Sequence, residues 1–127
     1  MIINSKVPYE SLKDAFADYE KNLIMNNMDK LDFYFWESDL TVRLGVAENL
    51  YGAQSIQNYR RVCAPVNKDR VLNNTVIRTF GDDFGIVSTE FNDGINDHIG
   101  RQMQTWVRFN GDWKVVAAHV SMMPVIN

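Results

Sequence analysis

Arg101-Gln102-Met103-Gln104-Thr105-Trp106-Val107-Arg108-Phe109-Asn110-Gly111-Asp112-Trp113-Lys114-Val115-Val116-Ala117-Ala118-His119-Val120-Ser121-Met122 reads as two strands around a tight turn. Asn-Gly between two runs rich in β-branched and aromatic residues is the favoured two-residue hairpin loop, since both residues tolerate positive φ. With Asn110-Gly111 as that loop, Gln102 lies opposite His119, Gln104 opposite Ala117 and Trp106 opposite Val115. One surface of the hairpin then carries Gln102, Gln104, Trp106, Arg108 and His119. The other is greasier, with Met103, Thr105, Val107 and Phe109 beside Val116, Ala118, Val120 and Met122, and it includes Arg101. A one-residue slip would exchange the two faces of a strand, so the register decides which side chains share a site.

Upstream, Val71 to Phe80 and Phe84 to Phe91 are similarly rich in β-branched and aromatic residues and are bounded by Gly, Asp and Asn turn chemistry, which makes a four-stranded antiparallel meander. Leu40 to Gly45 reads as a further strand, and Glu48 to Gly52 as an extended piece or turn. The N-terminal third is helical. Pro8 suits the start of a helix, and Tyr9, Leu12, Phe16, Tyr19 and Leu23 recur at spacings of three and four, forming one apolar stripe. Asn26-Asn27 interrupts that stripe, and Asn27 can cap a shorter helix carrying Met28, Leu31 and Phe35. A third helix spans about Ala53 to Val62 and stops before Pro65. Helices followed by a meander define an α+β domain, expected to be a single one over residues 1–127, whose curved sheet wraps the helices and leaves a hollow.

The composition narrows the function. With 13 basic and 16 acidic residues the net charge is −3, so a surface built to neutralise nucleic-acid phosphates is not expected. Cys63 is the only cysteine, which leaves no disulfide framework and no paired-cysteine metal or redox motif. Two isolated histidines add no metal cluster, so neither a metal nor another cofactor is expected. The first residues lack the apolar stretch of a secretion signal, and no apolar run approaches membrane-spanning length, so a cytoplasmic protein without membrane contact is expected.

Two residues stand out against their surroundings. Arg43 interrupts an apolar strand, and a buried guanidinium needs an anion, supplied either by Glu48 or Glu90 or by a ligand carboxylate. Tyr19 lies on the apolar stripe, and its hydroxyl needs a partner, either a core acceptor or a substrate group. His119 and Ser121 share one face of the last strand. Residues two apart on a strand sit roughly 7 Å apart, which argues against a nucleophile–base pair and for a sheet histidine bonded to Gln102. Arg60 and Arg61 are adjacent on a helix and about 100° apart, so only one can face inward, and both are read as a solvated face.

Tyr19-Glu20, Phe35-Trp36, Thr41-Val42-Arg43-Leu44-Gly45, Glu48-Asn49-Leu50-Tyr51-Gly52, Tyr59-Arg60, Thr89-Glu90-Phe91, residues 101–108 and residues 117–122 together resemble the AtzH-like, or HpxZ-type, proteins of the NTF2-like (SnoaL-like, cystatin-like) superfamily. Met103, where the family has Ser, and Tyr59, where it usually has Phe, depart from the pattern. The resemblance implies a cone-shaped α+β fold, a homodimer, and a role beside an amidase in oxalurate or ureide breakdown. It also implies a small anionic, carboxylated urea-like substrate that is hydrolysed or decarboxylated. Tyr19 and Arg43 become the expected catalytic residues, and Trp36, Tyr51, Arg101, Gln104 and His119 the expected substrate contacts. Two other readings fit the same fold. One is a non-catalytic accessory module that binds the pathway amidase or a ligand. The other is a ketosteroid-isomerase-like or cyclase-like enzyme, which needs an inward carboxylate from Glu48 or Glu90.

Overall fold

The computed structural model describes residues 1–94 and 97–125. Helix α1 runs from Lys6 to Met25, two residues earlier than Pro8 suggested. Pro8 is buried in its first turn, where backbone N–H groups have no intrahelical partner and a missing one costs little. Leu12, Phe16 and Tyr19 are buried along its stripe. The helix ends on Asn26 in the left-handed region at φ 54, and Asn27 leads into α2, Met28–Tyr34. After α2 come β1 (Val42–Leu44), β2 (Asn49–Tyr51) and α3 (Ala53–Val62). The meander follows as β3 (Val71–Phe80), β4 (Phe84–Asn92), β5 (His98–Phe109) and β6 (Asp112–Pro124). None of the described helices is long and apolar enough to cross a membrane.

The six strands form one sheet in the order β2-β1-β6-β5-β4-β3. Neighbours in the meander are antiparallel, but β1 runs parallel to β6, so the sheet is mixed rather than uniformly antiparallel. The hairpin turn is as read: Asn110 and Gly111 both have positive φ, 50 and 88, and Trp106 lies opposite Val115. Beyond that pair the register departs from expectation. Val116 is an extra residue, so Thr105 pairs with Ala117, Gln104 with Ala118, Met103 with His119 and Gln102 with Val120. A bulge of this kind reverses the facing of every residue that follows it on its strand. His119 is therefore opposite Met103 instead of Gln102. Both are exposed on the outer surface.

The inner surface combines Gln102, Gln104 and Trp106 from β5 with Val115, Ala118 and Val120 from β6. It mixes the two faces expected for the hairpin. At its centre Trp106 is 0% exposed, with its ring 6.0 Å from that of Tyr19 and 5.9 Å from that of Tyr34, both edge-on. Edge-to-face contacts of this kind add roughly 0.5–1.5 kcal/mol beyond area burial. They fix the helices on the sheet beside the space that α1, α3 and the sheet enclose.

Gly111 offers a clean test of the turn. Nothing within 4 Å would meet an added Cβ, so Gly111→Ala strains only the backbone at φ 88. The expected loss is about 1–2 kcal/mol, read as a lower urea midpoint with an unchanged slope.

Candidate functional site

The inner sheet surface, α1, α3 and two loops enclose a cavity of about 390 Å³. Its apolar wall includes Leu31, Phe35, Ile56, Phe91 and Val120. Three arginines line it, Arg43, Arg60 and Arg70, with two acids, Glu48 and Asp93, while Asp32 and Glu20 stand directly against Arg60 and Arg70.

Each arginine has a carboxylate partner. Arg43 leaves β1 toward the inside because Arg43 is in register with Ala118 of β6. Its Nη1 donates to Glu48 Oε1 at 2.7 Å. Gly45 makes the room: a Cβ there would lie 1.8 Å from Glu48 Oε1 and 2.8 Å from Arg43 Nη1. Arg60 donates to Asp32 at 2.8 Å and stacks over Phe35, with its centre 4.9 Å from the ring. Arg61 grips the other oxygen of Asp32 from the solvent side. The helix does turn only one of the two inward, yet Arg60 is largely buried rather than solvated.

Arg70 is the deepest. Its Nε donates to Glu20 Oε1 at 3.0 Å, its Nη2 donates to Gln102 Oε1 at 3.1 Å, and Gln102 Nε2 donates to Glu20 Oε2 at 3.2 Å. The guanidinium lies 4.1 Å over the Phe91 ring, and its Nη1 stands 3.7 Å from Asp93 Oδ1. This closed triad gives each member a charged or amide partner, which is the condition for a tolerable buried ion pair. Reading the sequence missed it. Glu20 sits four residues after Phe16 and so falls beside the apolar stripe, which was the available signal; Arg70 lies at the end of a loop with no local pattern.

Two donors in the cavity have no partner among the described residues. The Tyr19 hydroxyl, which no side chain or backbone group meets at hydrogen-bond distance, is one; beside these donors the lining also holds a buried acceptor without a hydrogen bond, Asp93 Oδ1, 3.7 Å from Arg70 Nη1. Burial pushes the Tyr19 phenol above the ordinary value of 10.0, helped by the Glu20 carboxylate, while Arg60, Arg43 and Arg70 pull the other way. The result is a neutral hydroxyl that keeps its proton throughout the physiological range. The second donor is the Nε2 of Gln104, a residue 2% exposed, whose Oε1 already accepts from the Trp106 indole N–H at 3.1 Å.

Tyr19, Arg43 and Gln104 thus share one cavity. The other expected contacts lie elsewhere. Trp36 stacks on Phe109, with ring centroids 5.3 Å apart, away from the cavity lining. Tyr51 is 67% exposed on β2. Arg101 and His119 are on the outer face with Ser121, whose hydroxyl accepts from Arg101 Nε at 3.2 Å. Of the two carboxylates considered for an isomerase-type base, Glu90 is outside, bonded by Asn74, and Glu48 is inside but held by Arg43.

A family model described as AtzH-like matches residues 1–125. The chain belongs to the AtzH-like family. Among solved structures it is similar to a cystatin-like fold protein from Burkholderia xenovorans, at 41% identity and TM-score 0.96 over 99% of both chains. A protein of unknown function from Pectobacterium atrosepticum is 45% identical, with TM-score 0.91 over 95% of this chain and 94% of that one. At the level of fold alone, a protein described as a ketosteroid isomerase from Parabacteroides distasonis aligns over 95% of both chains at TM-score 0.73 and 11% identity. The fold is therefore NTF2-like, or cystatin-like. No curated protein matches the chain.

Two outcomes follow from this wall of the cavity. Arg70→Ala leaves Glu20 buried without its cation, and stability should fall by about 3–5 kcal/mol in urea denaturation. Glu20→Ala in that background should cost far less than it does alone, the signature of a coupled pair. For Tyr19, the folded pKa is raised, so the unfolded chain ionises first as pH climbs past 10.0 and binds fewer protons than the folded one. Stability contributed by the neutral phenol is full below that pH and declines above it. Tyr19→Phe should make the alkaline loss of melting temperature shallower than in the wild type.

Proposed function

We propose that this AtzH-like protein binds a small carboxylated, urea-like anion of the oxalurate or ureide type in the cavity and promotes its hydrolysis or decarboxylation. The single observation that carries this reading is the pair of donors left without a protein partner, the Tyr19 hydroxyl and the Gln104 amide, in a cavity lined by three arginines. Acceptor oxygens are what two such donors need, and a carboxylated urea presents them on both its carboxylate and its carbonyl. Family membership supports the substrate class.

In this reading the carboxylate lies near Arg43, whose guanidinium is bound through Nη1 to Glu48 and keeps other N–H groups for a ligand. Tyr19 donates to the carbonyl oxygen, or to the nitrogen that takes the electron pair as the C–N bond breaks. Its raised pKa suits a donor that must hold its proton at neutral pH. For a substrate whose carboxylate is attached to nitrogen, the apolar wall withdraws that carboxylate from water and favours cleavage of the N–C bond, releasing carbon dioxide and leaving the electron pair on nitrogen, which takes a proton from Tyr19. Hydrolysis would draw on the same donors as an oxyanion hole for the tetrahedral intermediate. The protein acts in the cytoplasm as a homodimer alongside an amidase of the same breakdown route.

The test is a thermal-shift screen of the purified protein against oxalurate, allophanate and simple mono- and dicarboxylates, with turnover assays on each hit. A carboxylate-specific shift is expected, lost in Arg43→Ala and retained in part by Tyr19→Phe. Tyr19→Phe should lower kcat by roughly 10²–10⁴-fold if the phenol transfers a proton. Co-purification with an amidase and no shift with any carboxylate would replace this reading with the accessory module.

A further inference from the structure

The floor of the cavity holds a buried hydrogen bond between an indole and an amide, Trp106 Nε1 to Gln104 Oε1. An indole N–H can only donate, whereas a glutamine amide can face either way, offering oxygen or NH2. Trp106 is 0% exposed, and its Nε1 has one partner, Gln104 Oε1 at 3.1 Å. Turning the Gln104 amide over would put two donors against each other and orphan a buried N–H, at a cost well above thermal energy. The amide is therefore held in one orientation, with Nε2 toward the cavity and without a partner among the described residues. Gln102, two residues earlier on the same inner face, shows the contrast: both ends of its amide are taken, by Arg70 and Glu20.

We infer that Trp106 is a positioning residue that makes Gln104 a dedicated hydrogen-bond donor, so the cavity floor accepts a carbonyl or carboxylate oxygen and rejects an N–H or NH2 at the same point. Resting on the proposed reading that this cavity is the ligand site, the inference sharpens it: the ligand enters with its acyl oxygen toward the β5 floor. A ureido carbonyl is selected over the guanidino group of the same shape. Trp106 accomplishes this through Gln104 and makes no contact with the ligand itself.

A matched pair of probes separates these statements. Hydantoate and guanidinoacetate share a carboxylate and chain length, with a carbonyl oxygen in the first where the second has NH2 of a charged guanidinium, so the readout is the change in their preference ratio between variants, in which the constant charge difference cancels. Isothermal titration of the full chain with both should show hydantoate preferred. In Trp106→Phe, which keeps a ring at the position and removes the donor, the amide is free to turn. The preference ratio should then shrink about five- to tenfold, the weight of one neutral hydrogen bond. Gln104→Met leaves the Trp106 ring packed and should shrink the ratio similarly, which provides the answer if Trp106→Phe does not fold. A merely structural role for Trp106 would weaken both probes equally and leave the ratio unchanged, overturning the inference while wild-type binding upholds the cavity as the ligand site. Wild-type binding of neither hydantoate nor oxalurate would overturn both together.

Discussion

One extra residue in β6 decides what this protein can hold inside. At Val116 the pairing with β5 slips, so Val115 before it and Ala118 and Val120 after it all face the helices. The strand on the other side of β6 takes its register from the same segment. Phe35 bridges Val115 above the bulge, and Val42, Arg43 and Leu44 align with Ala117, Ala118 and His119 below it. Arg43 faces the cavity because Ala118 does. A strand without the bulge would turn His119 inward and Ala118 outward, and the parallel pairing would then carry Arg43 to the wrong side. Bulges also increase local twist, which helps a sheet of this length to curl around its helices.

The cavity thus formed is expensive ground for charge, and the chain meets that cost with partners at every cation. Arg43, Arg60 and Arg70 have Glu48, Asp32 and Glu20 as partners, and aromatic rings lie beneath all three: Tyr59, Phe35 and Phe91. Guanidinium is suited to this double environment, since it is weakly hydrated and flat, with donors in the plane and a face left for stacking. The pairing has a second effect. Because each cation already has a carboxylate within the protein, a ligand meets arginines whose charge is largely offset together with two neutral donors, a phenol and an amide. Neutral donors in a low-dielectric site discriminate by geometry.

The sequence disclosed the elements well and the faces less so. Periodicity and turn chemistry located α3 and β3 at their observed bounds, and Asn110-Gly111 marked the hairpin with both residues at positive φ. Tyr19 and Arg43 were visible because each is polar in apolar company, and Gln104 because it alternates with Trp106. What was hidden depends on contacts distant in the chain. No local pattern announces that Val116 is unpaired, and the consequence falls on His119 three residues later. The Arg70–Glu20 pair joins residues fifty positions apart, and Gln102 closes it from a third element. Tyr51 matched a family segment, but a residue on a three-residue edge strand has no periodicity from which its facing could be read.

The floor and the mouth of the cavity have different physical characters, and this division bears on how a ligand would be handled. The floor is β5 and β6, the most extensively paired strands, with Trp106 and Val115 at 0% exposure. Groups there are held by packing as well as by hydrogen bonds, so their geometry is fixed before a ligand arrives. The mouth is built from chain without regular structure, Val46 to Glu48 on one side and Cys63 to Val66 on the other. Such segments carry fewer backbone bonds and open at lower free energy than core strands. Arg43 connects the two regions: its backbone is paired within the sheet, while its side chain reaches Glu48 in the mouth. A ligand carboxylate competing with Glu48 for that guanidinium would loosen one side of the mouth as it binds. Entry and recognition would then be a single event, with the rigid floor selecting the acyl oxygen and the paired mouth responding to the negative charge.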